Sequence, residues 1–159
     1  MNLESLCGRA FEGRVVEDST ANPDFAGKRL VMHVRWCEGA RILVPFAVGD
    51  DLSRTWVFTR DADGLTLHHD HRHEDGSDDE VTMYGGATRT AGLSRLQRFY
   101  ADEHTAELIP AAKTNVWTVE LVPGSVFSYG LAREGTDRRF RAEFDLTREV
   151  APPPTPWGH

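Results

Sequence analysis

Three histidines alternate along residues 69–73, HDHRH, directly after a run of strand-forming residues. On a β-strand successive side chains point to opposite faces, so His69, His71 and His73 are expected to share one face with Leu67. Neutral imidazole nitrogens on one face can bind a divalent metal ion, and a single imidazole can act as a general base near neutral pH. This face is therefore the first candidate for a functional site.

A metal site on this face would use the three histidines, with the third joining at the rim. It needs a further ligand from elsewhere in the chain, and the candidates are Glu74, Asp75 and His104. The alternative is a solvated barrel mouth in which the histidines form hydrogen bonds with neighbouring carboxylates. The spacing of the residues leaves both hypotheses open.

A second set of candidates would bind an organic ligand rather than a metal. Arg95 and Gln97 share a face of a predicted strand with Phe99. An inward Arg95 could bind a ligand carboxylate, whereas an outward Arg95 would be an ordinary surface charge. Aromatic side chains would either line a cavity or fill the core, since both require the same residue types. The aromatic residues in question are Trp36, Trp56, Trp117, Phe127 and Tyr129, and among them Trp36, Trp117 and Tyr129 are the candidates for ligand contact.

A β-hairpin is predicted around the histidines. Residues 65–73 form its first strand, Asp75 and Gly76 supply turn chemistry, and residues 81–84 return as the second strand. In the preceding part of the chain, residues 29–37 alternate so that Trp36 shares a face with Leu30, Met32 and Val34. The histidines are thus expected to lie within a continuous series of hairpins.

The rest of the chain predicts more short strands joined by tight turns. Residues 138–146 show the clearest alternation, with Phe140, Ala142, Phe144 and Leu146 on one face. One helical turn is expected within residues 101–112. The other predicted strands cover residues 8–17, 41–48, 54–60, 88–100, 115–122 and 125–132.

This pattern predicts an all-β protein of roughly eight to ten strands, either a sandwich or a closed barrel. Sequential hairpins with little helix favour an antiparallel up-and-down β-barrel, which removes exposed strand edges and can hold a small ligand. Residues 1–150 are expected to form this single domain. Residues 151–159, APPPTPWGH, are expected to form a Pro-rich C-terminal tail that either packs through Trp157 or offers a recognition motif.

Composition excludes several classes of partner. The 159-residue chain has a formal charge of −7, which argues against nucleic acid and anionic membranes as partners. No apolar run approaches the ~20 residues that span a bilayer, and the first residues lack a secretory signal pattern. The sequence also lacks a nucleophile elbow and a phosphate-binding Gly-rich loop. A cytoplasmic protein is predicted, and a homo-oligomer is left open.

The two cysteines, Cys7 and Cys37, form neither a disulfide framework nor a redox motif. In a reducing cytosol both are expected to be small buried or near-surface residues. The alternative is a secreted protein in which the two are bonded to each other.

The segment GRAFEG at residues 8–13, followed by a meander of strands, resembles the start of a calycin barrel, the group of lipocalins and fatty-acid-binding proteins. The chain is also similar to uncharacterised bacterial proteins that carry the elements YGG, FDLT and PWG, found here at 84–86, 144–147 and 156–158. The calycin resemblance implies a barrel that encloses a small, largely apolar ligand. It implies no catalytic residues.

The first functional hypothesis is a noncatalytic barrel that binds a small apolar or amphipathic molecule and needs no cofactor. Its apolar walls would supply affinity, and polar groups near the mouth, led by His69, His71 and Arg95, would orient the ligand. The second hypothesis is a metal-dependent or histidine-assisted enzyme that uses His69 and His71. The third is a protein-interaction domain that uses an outer face and the Pro-rich tail.

Overall fold

The computed structural model describes residues 3–159 and shows an all-β protein. Eleven strand segments and one short α-helix follow one another in the order that the alternating pattern predicts, with 3₁₀ turns at Leu3–Leu6 and Pro110–Thr114. The elements are β1 (Ala10–Asp18), β2 (Leu30–His33), β3 (Trp36–Glu38), β4 (Arg41–Val48), β5 (Asp51–Arg60), β6 (Leu65–His71), β7 (Tyr84–Ala87), β8 (Leu96–Ala101), α1 (Glu103–Leu108), β9 (Asn115–Val122), β10 (Val126–Arg133) and β11 (Arg139–Val150).

The strands close into a barrel. From β3 through β11 each strand pairs antiparallel with the next, β11 pairs with β1, and β1 pairs with β2. The ring is completed because β2 also pairs with β4, which already pairs with β3. Since β2 and β3 are two parts of one interrupted strand, the result is a ten-stranded up-and-down barrel, which confirms the predicted fold class and fits a calycin-like barrel.

The interruption between β2 and β3 overturns the predicted orientation of Trp36. Met32 pairs with Phe46, so an unbroken register would place Trp36 opposite Ile42, but Trp36 pairs with Leu43. One extra residue in a strand turns every later side chain to the other face. Trp36 therefore lies on the outside of the barrel with 38% of its surface exposed, and Cys37 packs inward.

The inward-facing residues of the strands form one continuous hydrophobic core. On β11 the predicted alternation is confirmed, since Phe140, Ala142, Phe144 and Leu146 are all buried. At the end of the barrel where β5 ends and β6 begins, the core also includes Leu3 and Leu6 of the N-terminal 3₁₀ turn. This turn closes that end, and the histidine-bearing end of β6 lies at the opposite one.

Cys7 and Cys37 form a disulfide, with their Cα atoms 6.2 Å apart. The prediction of two unpaired cysteines is therefore wrong, and the bonded alternative applies. The bond ties the N-terminal turn to β3. No helix within residues 3–159 is long and apolar enough to cross a membrane. Disulfides are typical of oxidising compartments, so the bond does not favour the cytoplasmic location, which stays a prediction.

The hairpin around the histidines has a longer loop and a shorter first strand than the sequence predicts. Residues 72–83 form mainly a loop, and the returning strand begins at Tyr84 rather than at residue 81. Asp75 and Asp79 accept hydrogen bonds from backbone amides two residues ahead, which competes with strand pairing. β8 also begins later than predicted, at Leu96 rather than at residue 88.

The C-terminal tail packs against the barrel. The backbone amide of Trp157 donates to the carbonyl oxygen of Leu52, and His159 Nε2 lies 3.0 Å from Asp70 Oδ2. Pro156 is buried. The tail thus continues the barrel surface beside β5 and β6.

Candidate functional site

A cavity of about 290 Å³ lies in the end of the barrel where β6 and β10 end and β9 and β11 begin. A second interior space, beside Leu3 and Phe99, measures about 90 Å³ and is much too small for an organic ligand. Aromatic side chains form a large part of the wall of the larger cavity, namely Phe25, Phe46, Trp56, Tyr84, Trp117, Tyr129 and Phe140.

His69 forms the polar part of the cavity wall. Its Nδ1 lies 2.9 Å from the carbonyl oxygen of Tyr84, and its Nε2 lies 2.7 Å from the hydroxyl of Tyr129. A carbonyl oxygen can only accept, so Nδ1 carries the hydrogen and Nε2 accepts from the Tyr129 hydroxyl. The Tyr84 ring stacks on the imidazole with ring centres 4.6 Å apart. These three interactions hold His69 in one orientation, and the two hydrogen bonds fix its tautomer.

Burial keeps this polar pair uncharged. Loss of hydration disfavours the imidazolium and lowers the pKa of His69 to about 4. The same burial disfavours a phenolate and raises the pKa of Tyr129 well above its ordinary value. At neutral pH the pair is a neutral imidazole and a neutral phenol. It is suited to hydrogen bonding rather than to ion pairing.

The depressed pKa of His69 predicts a specific loss of stability in mild acid. The unfolded chain protonates His69 below about pH 6.5, whereas the folded protein does so only near pH 4. Between these values the unfolded state binds one more proton, so the free energy of unfolding falls as the pH falls. From about pH 7 to about pH 5 this contribution amounts to about 2 kcal/mol.

Urea unfolding of wild type and His69→Gln at both pH values measures this effect. We expect the wild type to lose about 2 kcal/mol more than His69→Gln over this interval. A His73→Gln variant changes an exposed histidine and should retain the wild-type pH dependence. Identical pH dependence in wild type and His69→Gln would contradict the buried neutral imidazole.

His71 lies near the rim of the cavity and connects a hydroxyl with a carboxylate. Its Nε2 lies 3.4 Å from Ser53 Oγ and its Nδ1 lies 3.2 Å from Asp79 Oδ2. This is the connectivity of a Ser-His-Asp triad. However, Ser53 is only 5% exposed and does not line the cavity, so its hydroxyl does not face the space where a substrate would lie.

The three histidines of the predicted metal site are not brought together as ligands. Both ring nitrogens of His69 already have protein partners, and half of the His73 side chain is exposed. Among residues 3–159 no group of three or more His, Cys, Asp or Glu side chains is arranged to hold a metal ion. His104 forms a hydrogen bond with the Thr82 carbonyl oxygen instead. The metal-site hypothesis gains no support from this geometry and stays a prediction.

Three arginines that the sequence did not single out line the cavity beside polar residues of the mouth. Arg54 pairs with Asp51, and its guanidinium lies 5.6 Å from the centre of the Phe25 ring. Arg138 Nη1 lies 3.4 Å from Asp18 Oδ1. The third, Arg133, ends β10. They were missed because each is one of many arginines in the sequence, and only closure of the barrel gathers them at one end.

Four of the seven predicted ligand contacts line the cavity: His69, His71, Trp117 and Tyr129. The other three do not. Arg95 is exposed just before β8, so its outward alternative, an ordinary surface charge, applies, and Trp36 is outside the barrel. Gln97 is buried but lies near the start of β8, at the far end from the cavity, where its Nε2 donates to the carbonyl oxygen of Leu93.

Comparison of the chain with protein-family models, with curated proteins and with solved structures finds no match. The calycin resemblance is therefore supported by the barrel topology but not by a shared family. Any function has to be argued from the cavity itself.

Proposed function

We propose that the protein is a noncatalytic binding protein that holds one small, largely aromatic molecule inside the barrel. The observation that carries this proposal is the cavity of about 290 Å³ with aromatic walls and a fixed, neutral polar pair. Ligand pockets of this kind combine apolar walls with a few oriented polar groups.

The size of the cavity limits the ligand. Pockets for small molecules usually measure about 300–1,000 Å³, so this one is at the lower end of that range. A molecule with one or two rings suits this volume, whereas a long-chain lipid does not. The sequence-based prediction of a small apolar or amphipathic ligand is thereby narrowed to a compact one.

The arrangement of the rings favours a flat molecule. Trp56 is the centre of the wall, stacked on Phe46 with ring centres 4.8 Å apart and on Tyr129 at 4.6 Å. Since Trp56 is held on β5 by these neighbours, the wall needs little reordering when a ligand binds. Rings that pack in this way contribute about 0.5–1.5 kcal/mol per pair beyond their buried area.

Isothermal titration calorimetry with 2-naphthamide, a neutral two-ring probe, tests the proposal. Leu131→Trp should fill the cavity, because Leu131 lines it, and should weaken binding by at least about tenfold. Val126→Trp is the matched control, since Val126 lies on the same strand but lines an outer groove instead. Equal binding by Leu131→Trp and wild type would contradict an interior binding site, as would the absence of wild-type binding both to this probe and to its carboxylate analogue, 2-naphthoate.

A histidine-assisted enzyme is the second candidate, and the hydrogen bonds of His71 with Ser53 and Asp79 favour it. Hydrolysis of 2-naphthyl acetate by the wild type, abolished in both His71→Gln and Ser53→Ala, would support this candidate. The position of Ser53 away from the cavity favours binding without catalysis. The protein-interaction hypothesis gains no support from the tail, because Trp157 and His159 form their hydrogen bonds with Leu52 and Asp70 of the same chain.

A further inference from the structure

The polar end of the cavity is cationic although the whole protein carries a formal charge of −7. Three of the charged residues lining the cavity are arginines, and the acidic one among them is Asp70. Asp70 is buried and already bonded to Arg72 and His159. The lining therefore offers positive charge and no unpartnered carboxylate.

Arg133 differs from the other two arginines in its partners. Arg54 and Arg138 form ion pairs with Asp51 and Asp18. Arg133 donates from Nε to Oδ1 of Asn115, a neutral amide, at 2.9 Å. In the part of the chain that the structure describes, it forms no ion pair. A half-buried guanidinium without a counter-charge is costly, and an anion from outside the chain would remove that cost.

Arg133 and its neighbour Asn115 can both donate hydrogen bonds to a ligand. Because a guanidinium can only donate, the atom of Asn115 that faces Arg133 must be the amide oxygen. The amide nitrogen of Asn115 is then a second donor beside the guanidinium, and Asn115 is a buried residue that also lines the cavity. A carboxylate can accept from both groups, and charge-assisted hydrogen bonds of this type are short and strong.

The strand spacing relates this donor pair to the aromatic wall. On β10 the alternate residues Tyr129, Leu131 and Arg133 line the cavity, and on β9 Trp117 is paired with Leu131. Alternate residues on a strand are about 7 Å apart, so the Cα atom of Arg133 lies about one such step beyond the Leu131–Trp117 level, where Arg133 is paired with Asn115. A ring at that level and a carboxylate attached directly to it would meet the wall and Arg133 together.

We propose that the ligand class is aromatic monocarboxylates, with the ring against Trp117 and Leu131 and the carboxylate bound by Arg133 and Asn115. This inference rests on the proposed function, since it names the chemistry of the molecule held in the cavity. The neutral His69–Tyr129 pair lies at the inner end, where it accommodates the uncharged side of the ring.

Calorimetry with a matched pair of probes separates the charge from the ring. 2-Naphthoate and 2-naphthamide differ in charge and hardly in shape. Wild type is expected to bind the naphthoate at least about tenfold more tightly. Arg133→Gln is expected to weaken naphthoate binding by about tenfold to a hundredfold and to leave naphthamide binding within about twofold.

Two further variants control for charge and for folding. Arg95→Gln removes the same charge from an exposed position outside the cavity and should preserve the preference for naphthoate. Arg133→Lys keeps the charge and should retain part of the preference for naphthoate over naphthamide. This variant tests the role of the charge even if Arg133→Gln folds poorly. An equal loss in Arg95→Gln and Arg133→Gln would overturn a local role of Arg133.

The outcomes distinguish the two proposals. If wild type binds both probes equally, the anionic ligand class is wrong while interior binding stands. If wild type binds neither probe, both proposals are wrong. Leu131→Trp and Val126→Trp then show no difference in affinity. A preference for naphthoate that survives in Arg133→Gln would assign the anion to another cation and reject Arg133.

Discussion

Gly86→Ala is expected to lower the free energy of unfolding by at least about 3 kcal/mol, the upper part of the range for overpacked interiors. A β-carbon at Gly86 would overlap the carbonyl oxygen and carbon of Tyr100, which belong to the backbone of β8. A side chain could rotate away, but the backbone moves only if β7 separates from β8. The pairing of Gly86 with Ala101 would then be lost.

The loss would also reach the candidate site. Tyr84, two residues before Gly86, supplies the carbonyl oxygen that fixes His69 and the ring that stacks on it. Displacement of β7 should therefore weaken 2-naphthamide binding in any Gly86→Ala protein that still folds.

Gly130→Ala is the matched control for this prediction. Gly130 also lies within a strand and is paired on both sides, but a β-carbon there would be 3.4 Å from the nearest atom, the carbonyl oxygen of Phe140. We expect its stability to remain within about 1 kcal/mol of the wild type, because alanine suits a strand interior at least as well as glycine. Urea unfolding followed by circular dichroism measures both variants, and similar losses would refute the close approach of β7 and β8.

The barrel could be predicted from the sequence because its strands obey a local rule. In β9 and β11 inward residues alternate with outward ones, so period-two patterning was enough to place them. The rule failed where a single residue broke the register. Nothing between Met32 and Trp36 indicates an extra residue, since only pairing with β4 shows it. The disulfide followed from the same closure, which brings Cys37 to Cys7 across 30 residues.

The candidate site was predictable only on its own strand. The alternation of histidines placed His69 and His71 on the inner face, and both line the cavity. The hydroxyl partner of His69 belongs to Tyr129, sixty positions later, and no local pattern links the two. Arg95 was considered as an anchor because it shares a face of a predicted strand with Phe99, and Arg133 was not singled out. An arginine reaches the cavity only if it lies at the right height along the barrel axis. Alternation distinguishes inner from outer residues and does not report that height.

Removal of the Cys7–Cys37 disulfide is expected to destabilise the protein by about 3–4 kcal/mol, from the entropy that a cross-link over this separation withholds from the unfolded chain. The double variant Cys7→Ser/Cys37→Ser tests this. In the folded state, any local change should be confined to the end of the barrel closed by Leu3 and Leu6, because the bond ties their turn to β3.

The opposite end should be spared, which makes the prediction specific. Neither the N-terminal turn nor the two cysteines line the cavity that contains Trp117 and Tyr129. The affinity for 2-naphthamide at low denaturant should therefore stay within about twofold of the wild type. Dithiothreitol should lower wild-type stability to the level of the double variant and leave the double variant itself unchanged. Equal stability of wild type with and without dithiothreitol would show that the two sulfurs are not bonded in solution, and the cytoplasmic prediction would then regain its basis.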